Sequence, residues 1–286
     1  MAPRPAPLER VRARVQRTAG AAVADALPRG FTRLGRVLLL QLPEALRPSF
    51  PEIGAAYAAE LGCGAVLRRG GPVAGEYRRP TVELLFGSET ETVVQEHGVR
   101  WRFDAREVMF ARGNKEERAR VGRLVGPGER VVDLFAGIGY LTIPAARAHP
   151  SVRVTAVEVN PTAYRYLLEN LRLNGVAGQV RALRGDNREL ELPAGEADRV
   201  LLGFLPSAVP WVGRAWGLLK PGGGTLHVHT VGPVDAGAEG AAAEVAEALT
   251  RCGAPVRSLR PRAVKPYGPG RTHFVVDAVI GPGRGP

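Results

Sequence analysis

The sequence predicts an α/β protein, a doubly wound and mostly parallel sheet preceded by a smaller α+β region. Three observations carry this. From residue 129 onward short apolar runs alternate with helical periods, the pattern of a parallel sheet with helices on both faces. Residues 131–140 (VVDLFAGIGY) read as a buried strand breaking on Gly137 and Gly139 into a helix. Residues 27–104 carry their own strands and helix, punctuated by proline and glycine.

Residues 1–26 are rich in Ala, Arg and Pro, with Glu9 and Asp25 their only acids. They are expected to be a basic, flexible extension, although Leu8, Val11 and Val15 would line one face of a short helix. Next come strands at 37–42, 65–68 and 81–86, a helix at 52–61, and a hairpin of 93–96 with 99–103 turning at His97-Gly98. The second region, 105–286, opens on a basic segment with Arg112, Lys115 and Arg118. Strands are then expected at 130–135, 153–159, 179–183, 199–203, 225–230 and 273–279. Helices are expected at 140–148, 161–173, 210–218 and 241–252, the second announced by Asn160-Pro161, a capping side chain before proline at the first helical position.

Composition bounds the partners. With 45% hydrophobic residues and about a fifth Gly plus Pro, the 286-residue chain has ample material for a core. No apolar run approaches the ~20 residues that span a bilayer. Cys63 and Cys252 lack metal-ligand or redox spacing, which suits a reducing compartment and cytoplasmic localisation. The Arg-rich start leaves a mitochondrial alternative. The net charge of +11, with only three lysines among 39 basic residues, points to phosphate backbones as partner, because arginine both neutralises phosphate and stacks on bases.

The chemistry gathers at strand ends, where such sheets bind ligands. Asp133-x-Phe135-x-Gly137-x-Gly139 is the form this turn takes in enzymes that bind S-adenosylmethionine; a dinucleotide fold calls for a third glycine where Thr142 stands. At Gly137 the absent side chain lets backbone approach a ligand. Glu158 ends the second strand and suits two ribose hydroxyls. Gly185-Asp186-Asn187 ends the third; Asp186 can accept from an adenine amino group, and the adjacent amide or backbone N–H can donate to a ring nitrogen. The fourth strand ends at Gly203-Phe204-Leu205-Pro206-Ser207, where base-nitrogen methyltransferases usually show Asn-Pro-Pro or Asn-Leu-Pro. His227 and His229 share one strand face, but with no third ligand in view no metal is expected. Residues 264–269 (VKPYGP) read as a loop or a rim over the substrate mouth.

In this order the motifs resemble the tRNA wybutosine-synthesizing 3-amino-3-carboxypropyltransferase family, a close relative of the archaeal-type tRNA guanine-N1 methyltransferases. The resemblance runs over about residues 27–280. It is carried by 75–80 (GEYRRP), 87–93 (GSETETV), 109–114 (MFARGN), 135–140 (FAGIGY), 202–207 (LGFLPS), 226–229 (LHVH) and 264–267 (VKPY). It implies a Rossmann-like class I S-adenosylmethionine-dependent catalytic domain at 105–286 and a tRNA-recognition domain at 27–104. The co-substrate implied is S-adenosylmethionine, which leaves as methylthioadenosine. The implied partner is the anticodon stem-loop of phenylalanine tRNA, modified on a ring carbon of its tricyclic wyosine precursor. Glu158, Asp186 and Asn187 match the family's contacts to the nucleoside, in a framework that includes Asp133 and Gly137. Ala111 and Arg118 match its contacts near the methionine arm, with Ala111 standing for a common serine. A guanine-N1 methyltransferase and a non-catalytic tRNA-binding protein are the alternatives. Spacing singles out no general base; His229 and water both remain open.

Overall fold

The computed structural model describes residues 5–71, 75 and 77–283, so Glu76 of the 75–80 motif lies outside the described residues. The chain divides into two units between Phe110 and Ala111.

The first unit contains helices α1 (Pro7–Ala19) and α2 (Ala21–Asp25), strands β1 (Thr32–Leu34) and β2 (Val37–Leu40), helix α3 (Phe50–Leu61), and strands β3 (Ala65–Arg69), β4 (Val82–Gly87), β5 (Glu91–Glu96) and β6 (Val99–Asp104). β1 to β4 form one sheet in sequence order, and β5 pairs with β6 as a separate hairpin. That hairpin turns at His97 and Gly98, both at positive φ (46° and 75°), the backbone twist that two-residue hairpin turns require. Thr92 ties β5 to the β1–β2 turn: its hydroxyl donates to the Leu34 carbonyl and accepts from the Arg36 N–H.

Two expectations are corrected in this unit. Residues 7–25 are not a flexible extension but two helices, because Val11 and Val15 are wholly buried in one cluster with Leu38, Leu40, Ile53, Tyr57 and Val66. Arg10 pairs with Glu60 of α3 at 3.1 Å. The division between units also falls six residues later than the expected start at 105. Phe110 belongs to the first unit because its ring stacks on Phe103 at 5.1 Å and packs against Trp101 at 5.8 Å.

The second unit contains α4 (Lys115–Leu124), β7 (Arg130–Asp133), α5 (Thr142–Arg147), β8 (Arg153–Glu158), α6 (Pro161–Leu173), β9 (Val180–Arg184), β10 (Arg199–Leu202), α7 (Val212–Leu218), β11 (Gly224–Pro233), α8 (Gly237–Arg251), β12 (Val256–Gly268) and β13 (Arg271–Ile280). Its sheet runs β12-β13-β11-β10-β7-β8-β9. The five strands from β11 to β9 are parallel, while β13 and β12 are antiparallel. α7 and α8 share an apolar cluster with Val132, Leu202, Val228 and Val276. α4 lies on the opposite face, where Arg120 binds Asp277. This is the doubly wound Rossmann-like α/β fold. Chain order reverses direction between β7 and β10, the switch point beside which such sheets bind ligands.

β12 is a correction as well. Prolines 261 and 266 argue for a loop, yet an edge strand tolerates a missing N–H when that side faces away from the ladder. Three register shifts along β12 absorb the misfit.

Candidate active site

The three strand ends predicted to hold a nucleoside are joined by their own backbone. After β7, the Ala136 N–H donates to the Val157 carbonyl; after β8, the Glu158 carbonyl accepts from the Gly185 N–H. Asn187 Nδ2 closes the set by donating to the Leu134 carbonyl at 3.0 Å. The loops after β7, β8 and β9 are therefore tied into one ledge.

Glu158 is half-buried at its centre. One carboxylate oxygen accepts the Gly137 N–H and the other the Asn160 N–H, each at 2.7 Å. A carboxylate has about four acceptor positions, so two remain for donors from a ligand. Burial pushes the Glu158 carboxyl up to about 7, opposed by those two backbone N–H groups. Asn160 in turn accepts from Thr162 N at 2.9 Å and caps α6, which fixes the chain direction just past Glu158.

Gly137 and Gly139 both have positive φ, 56° and 95°. A Cβ at Gly137 would stand 2.7 Å from the Tyr140 ring, and one at Gly139 2.6 Å from Ile143 Cδ1. Only glycine fits either place. Tyr140 also lies under the Arg118 guanidinium, 6.0 Å from ring to charge, and Arg118 donates to the Ala111 carbonyl at 3.1 Å. Ala111, Arg118, Tyr140 and Gly137 thus form a continuous run, with Arg118 itself 3% exposed.

Asp133 does not line the site. It is wholly buried, accepting from the Thr142 hydroxyl at 2.7 Å and the Phe135 N–H at 3.2 Å. It holds the turn from beneath, which explains a threonine where a dinucleotide fold would carry glycine. Its carboxyl is raised to about 6 by burial. Asp186 stands at the ledge with both oxygens on Arg188 Nε, at 2.9 and 3.0 Å, and that bond lowers its pKa. Asn187 is buried with one of its two amide N–H groups on the Leu134 carbonyl; its Oδ1 is a buried acceptor without a protein donor.

Sequence reasoning missed Asn170, whose Nδ2 donates to the Ile138 carbonyl and pins the glycine turn from α6. The signal was available: Asn170 falls seven residues after Ala163 on the apolar stripe with Tyr166 and Leu167, where a lone amide must find a partner. It also missed the buried charges behind the site. His227 bonds Asp277 through Nδ1 and Arg199 through Nε2, while Arg120 bridges Asp277 to Glu117. His229 Nδ1 and His273 Nε2 meet at 3.0 Å, and burial pushes both rings down to about 3, so both are neutral. Among the described residues no group of three or more His, Cys, Asp or Glu is placed to hold a metal ion.

At the end of β10, Phe204 packs with Phe135 and Trp211, ring centroids 5.1–5.3 Å apart, all three half-buried. A Cβ at Gly203 would come 3.2 Å from Leu141 Cδ1. A carboxamide side chain there would press on Leu141.

Residues 92–253 match the family model described as the TRM5/TYW2 methyltransferase domain, and residues 11–90 match the TYW2 N-terminal domain. The tRNA(Phe) (4-demethylwyosine(37)-C(7)) aminocarboxypropyltransferase of Pyrococcus horikoshii is 36% identical over 253 residues, 88% of this chain and 89% of that protein. The crystal structure of P. horikoshii TYW2 in complex with MeSAdo aligns with a TM-score of 0.85 at 32% identity, covering 96% of this chain and 100% of the other. M. jannaschii TYW2 in complex with AdoMet aligns with a TM-score of 0.70 at 30% identity, covering 88% and 100%.

Proposed function

Because the chain belongs to the TRM5/TYW2 family and carries the TYW2 N-terminal domain, we propose that it is a tRNA aminocarboxypropyltransferase. It transfers the 3-amino-3-carboxypropyl group of S-adenosylmethionine to a ring carbon, C7 of the 4-demethylwyosine next to the anticodon of phenylalanine tRNA. The partner contact is the anticodon stem-loop, and the place of action is the cytoplasm, where that tRNA is used.

The residues present fit the nucleoside. Glu158 keeps acceptor positions beyond its two backbone bonds, Gly137 and Gly139 make a turn that a Cβ would block against Tyr140 and Ile143, and Asn187 holds out a buried acceptor. In this assignment Glu158 takes the ribose hydroxyls, and Asp186 and Asn187 take the adenine. Arg118 and the backbone at Ala111 stand beside the methionine arm. S-adenosylmethionine supplies an activated sulfonium with three carbons open to attack, and cleavage at the longest arm leaves methylthioadenosine. The acceptor ring carbon forms the new carbon–carbon bond and afterwards gives up its proton. Which arm is transferred is a matter of aim, so the chain's task is to hold the nucleoside and point the long arm at the base.

One observation carries the choice between arms: Gly203 stands where base-nitrogen methyltransferases place an asparagine, and a side chain there would have to displace the Leu141 methyl 3.2 Å away. The site thus lacks the carboxamide that would hold a guanine edge for methylation. Co-substrate labelled separately in the methyl and carboxypropyl positions tests the assignment. With tRNA carrying the tricyclic base, carboxypropyl label should enter RNA and methyl label should leave in methylthioadenosine. Methyl label entering RNA that lacks the tricycle would instead mark a guanine-N1 methyltransferase.

A further inference from the structure

The strand β12, which the sequence concealed, has a surface that the transferase reading does not use. Between Glu247 and Asp277 the chain has no acidic residue, yet it holds Arg251, Arg257, Arg260, Arg262, Lys265 and Arg271. Four of these lie on β12, the outermost strand of the large sheet, with Arg257, Arg260 and Arg262 exposed and Lys265 half-buried. Tyr267, near the turn, is 44% exposed.

The position of this ribbon matters more than its charge. β10 ends at Leu202, which pairs with Val228, whereas β11 continues to Pro233 opposite Arg271. The extra length, at roughly 3.3 Å per residue, lifts the β11–β13–β12 ribbon about 16 Å past the end of β10. It rises from the carboxyl ends of the parallel strands, the edge that also carries Asp133, Glu158 and Asp186. The raised part holds Arg262, Lys265, Tyr267 and Arg271, and Arg260, opposite Asp277, lies one residue below the end of β10 at its foot.

We propose that the β12–β13 ribbon is an RNA-backbone docking surface beside the active-site mouth, with Arg260 and Arg262 on phosphates and Tyr267 offering a ring to an unpaired base. The proposal rests on the tRNA reading above and extends it to particular contacts. A run of arginines with an exposed aromatic ring is the chemistry of single-stranded RNA binding, where charge follows the backbone and rings take bases. A competing role exists for such residues, since charges and prolines on an edge strand also prevent edge-to-edge pairing between molecules. The two roles predict different behaviour.

The test is the salt dependence of tRNA affinity in the full chain without co-substrate, comparing wild type, Arg260→Gln/Arg262→Gln, Arg260→Lys/Arg262→Lys and Tyr267→Ala. Each lost phosphate contact should lower the slope of log K against log salt by about 0.7–0.9. The Gln pair should therefore flatten the slope by roughly 1.5 and weaken binding about tenfold or more at moderate salt. The Lys pair should keep the slope. Tyr267→Ala should weaken binding with the slope unchanged. Co-substrate affinity should match wild type in every variant, which also reports a sound fold. Wild-type affinity and slope in the Gln pair would overturn the proposal, and new self-association there would assign the arginines to edge protection. A wild-type chain that transfers no carboxypropyl label, while the Gln pair still loses RNA affinity, would sink the transferase reading and leave the docking surface standing.

Discussion

Glu158 shows how a single carboxylate couples the site to pH. Its carboxyl is raised to about 7, above its ordinary value of 4.5, so between those values the folded chain keeps a proton that the unfolded chain has released. This group's contribution to stability therefore falls as pH rises through that window, in the absence of ligand. Ribose hydroxyls want the ionised form, so co-substrate binding should release a proton near neutrality. Affinity should rise with pH up to about 7 and level off above it. Calorimetry in buffers of different ionisation enthalpy measures that release; an affinity flat across pH would show that Glu158 does not meet the ligand. Glu158→Ala should weaken co-substrate binding by about 1–3 kcal/mol, the range for stranding hydrogen-bond partners of a buried charge. Gly137→Ala should be worse, because the added Cβ meets the Tyr140 ring at 2.7 Å with φ at 56°. The placement of Glu158, Asp186 and the glycines at strand ends was legible from the alternation of strand and helix. The hidden role of Asp133 was not, since a carboxylate beneath a turn and one facing a ligand look alike in one dimension. Thr142, nine residues on, was the clue to its partner.

At the scale of elements, α6 and the His97-Gly98 hairpin were readable from local chemistry alone, an N-cap with proline and a turn dipeptide. The packing of α1 into the core and the strand β12 were not, for opposite reasons. The helix α1 is held by tertiary packing of two valines against α3 and β2, which no local propensity reports. The strand β12 looks broken because its prolines are tolerated only at a sheet edge, and edge position is a property of topology. Truncating Val11 and Val15 to alanine should each cost about 1.5–3 kcal/mol, from lost methyl burial plus the cavity left behind. Denaturant unfolding of the first unit measures this. A flexible arm would show no change.

For the whole molecule, alternation of strand and helix sufficed to predict a parallel sheet with ligands at its strand ends, while the switch point between β7 and β10 came only with the strand order. What stayed dark was long-range register. The chain from Arg199 through His227 and Asp277 to Arg120 and Glu117 joins four elements, and only the pairing of β11 with β13 brings His227 opposite Asp277. The net charge of +11 is likewise a property of the whole chain. It implies tRNA affinity that falls steeply with salt, by a slope near 0.7–0.9 for each phosphate engaged. The proposed transfer rests on the ledge formed after β7, β8 and β9. Its most direct test is a crystal structure of this chain with methylthioadenosine. Ribose hydroxyls should lie within hydrogen-bond distance of the Glu158 carboxylate, with adenine against Asp186 and Asn187. A nucleoside bound elsewhere, with Glu158 contacting only Gly137 and Asn160, would contradict it.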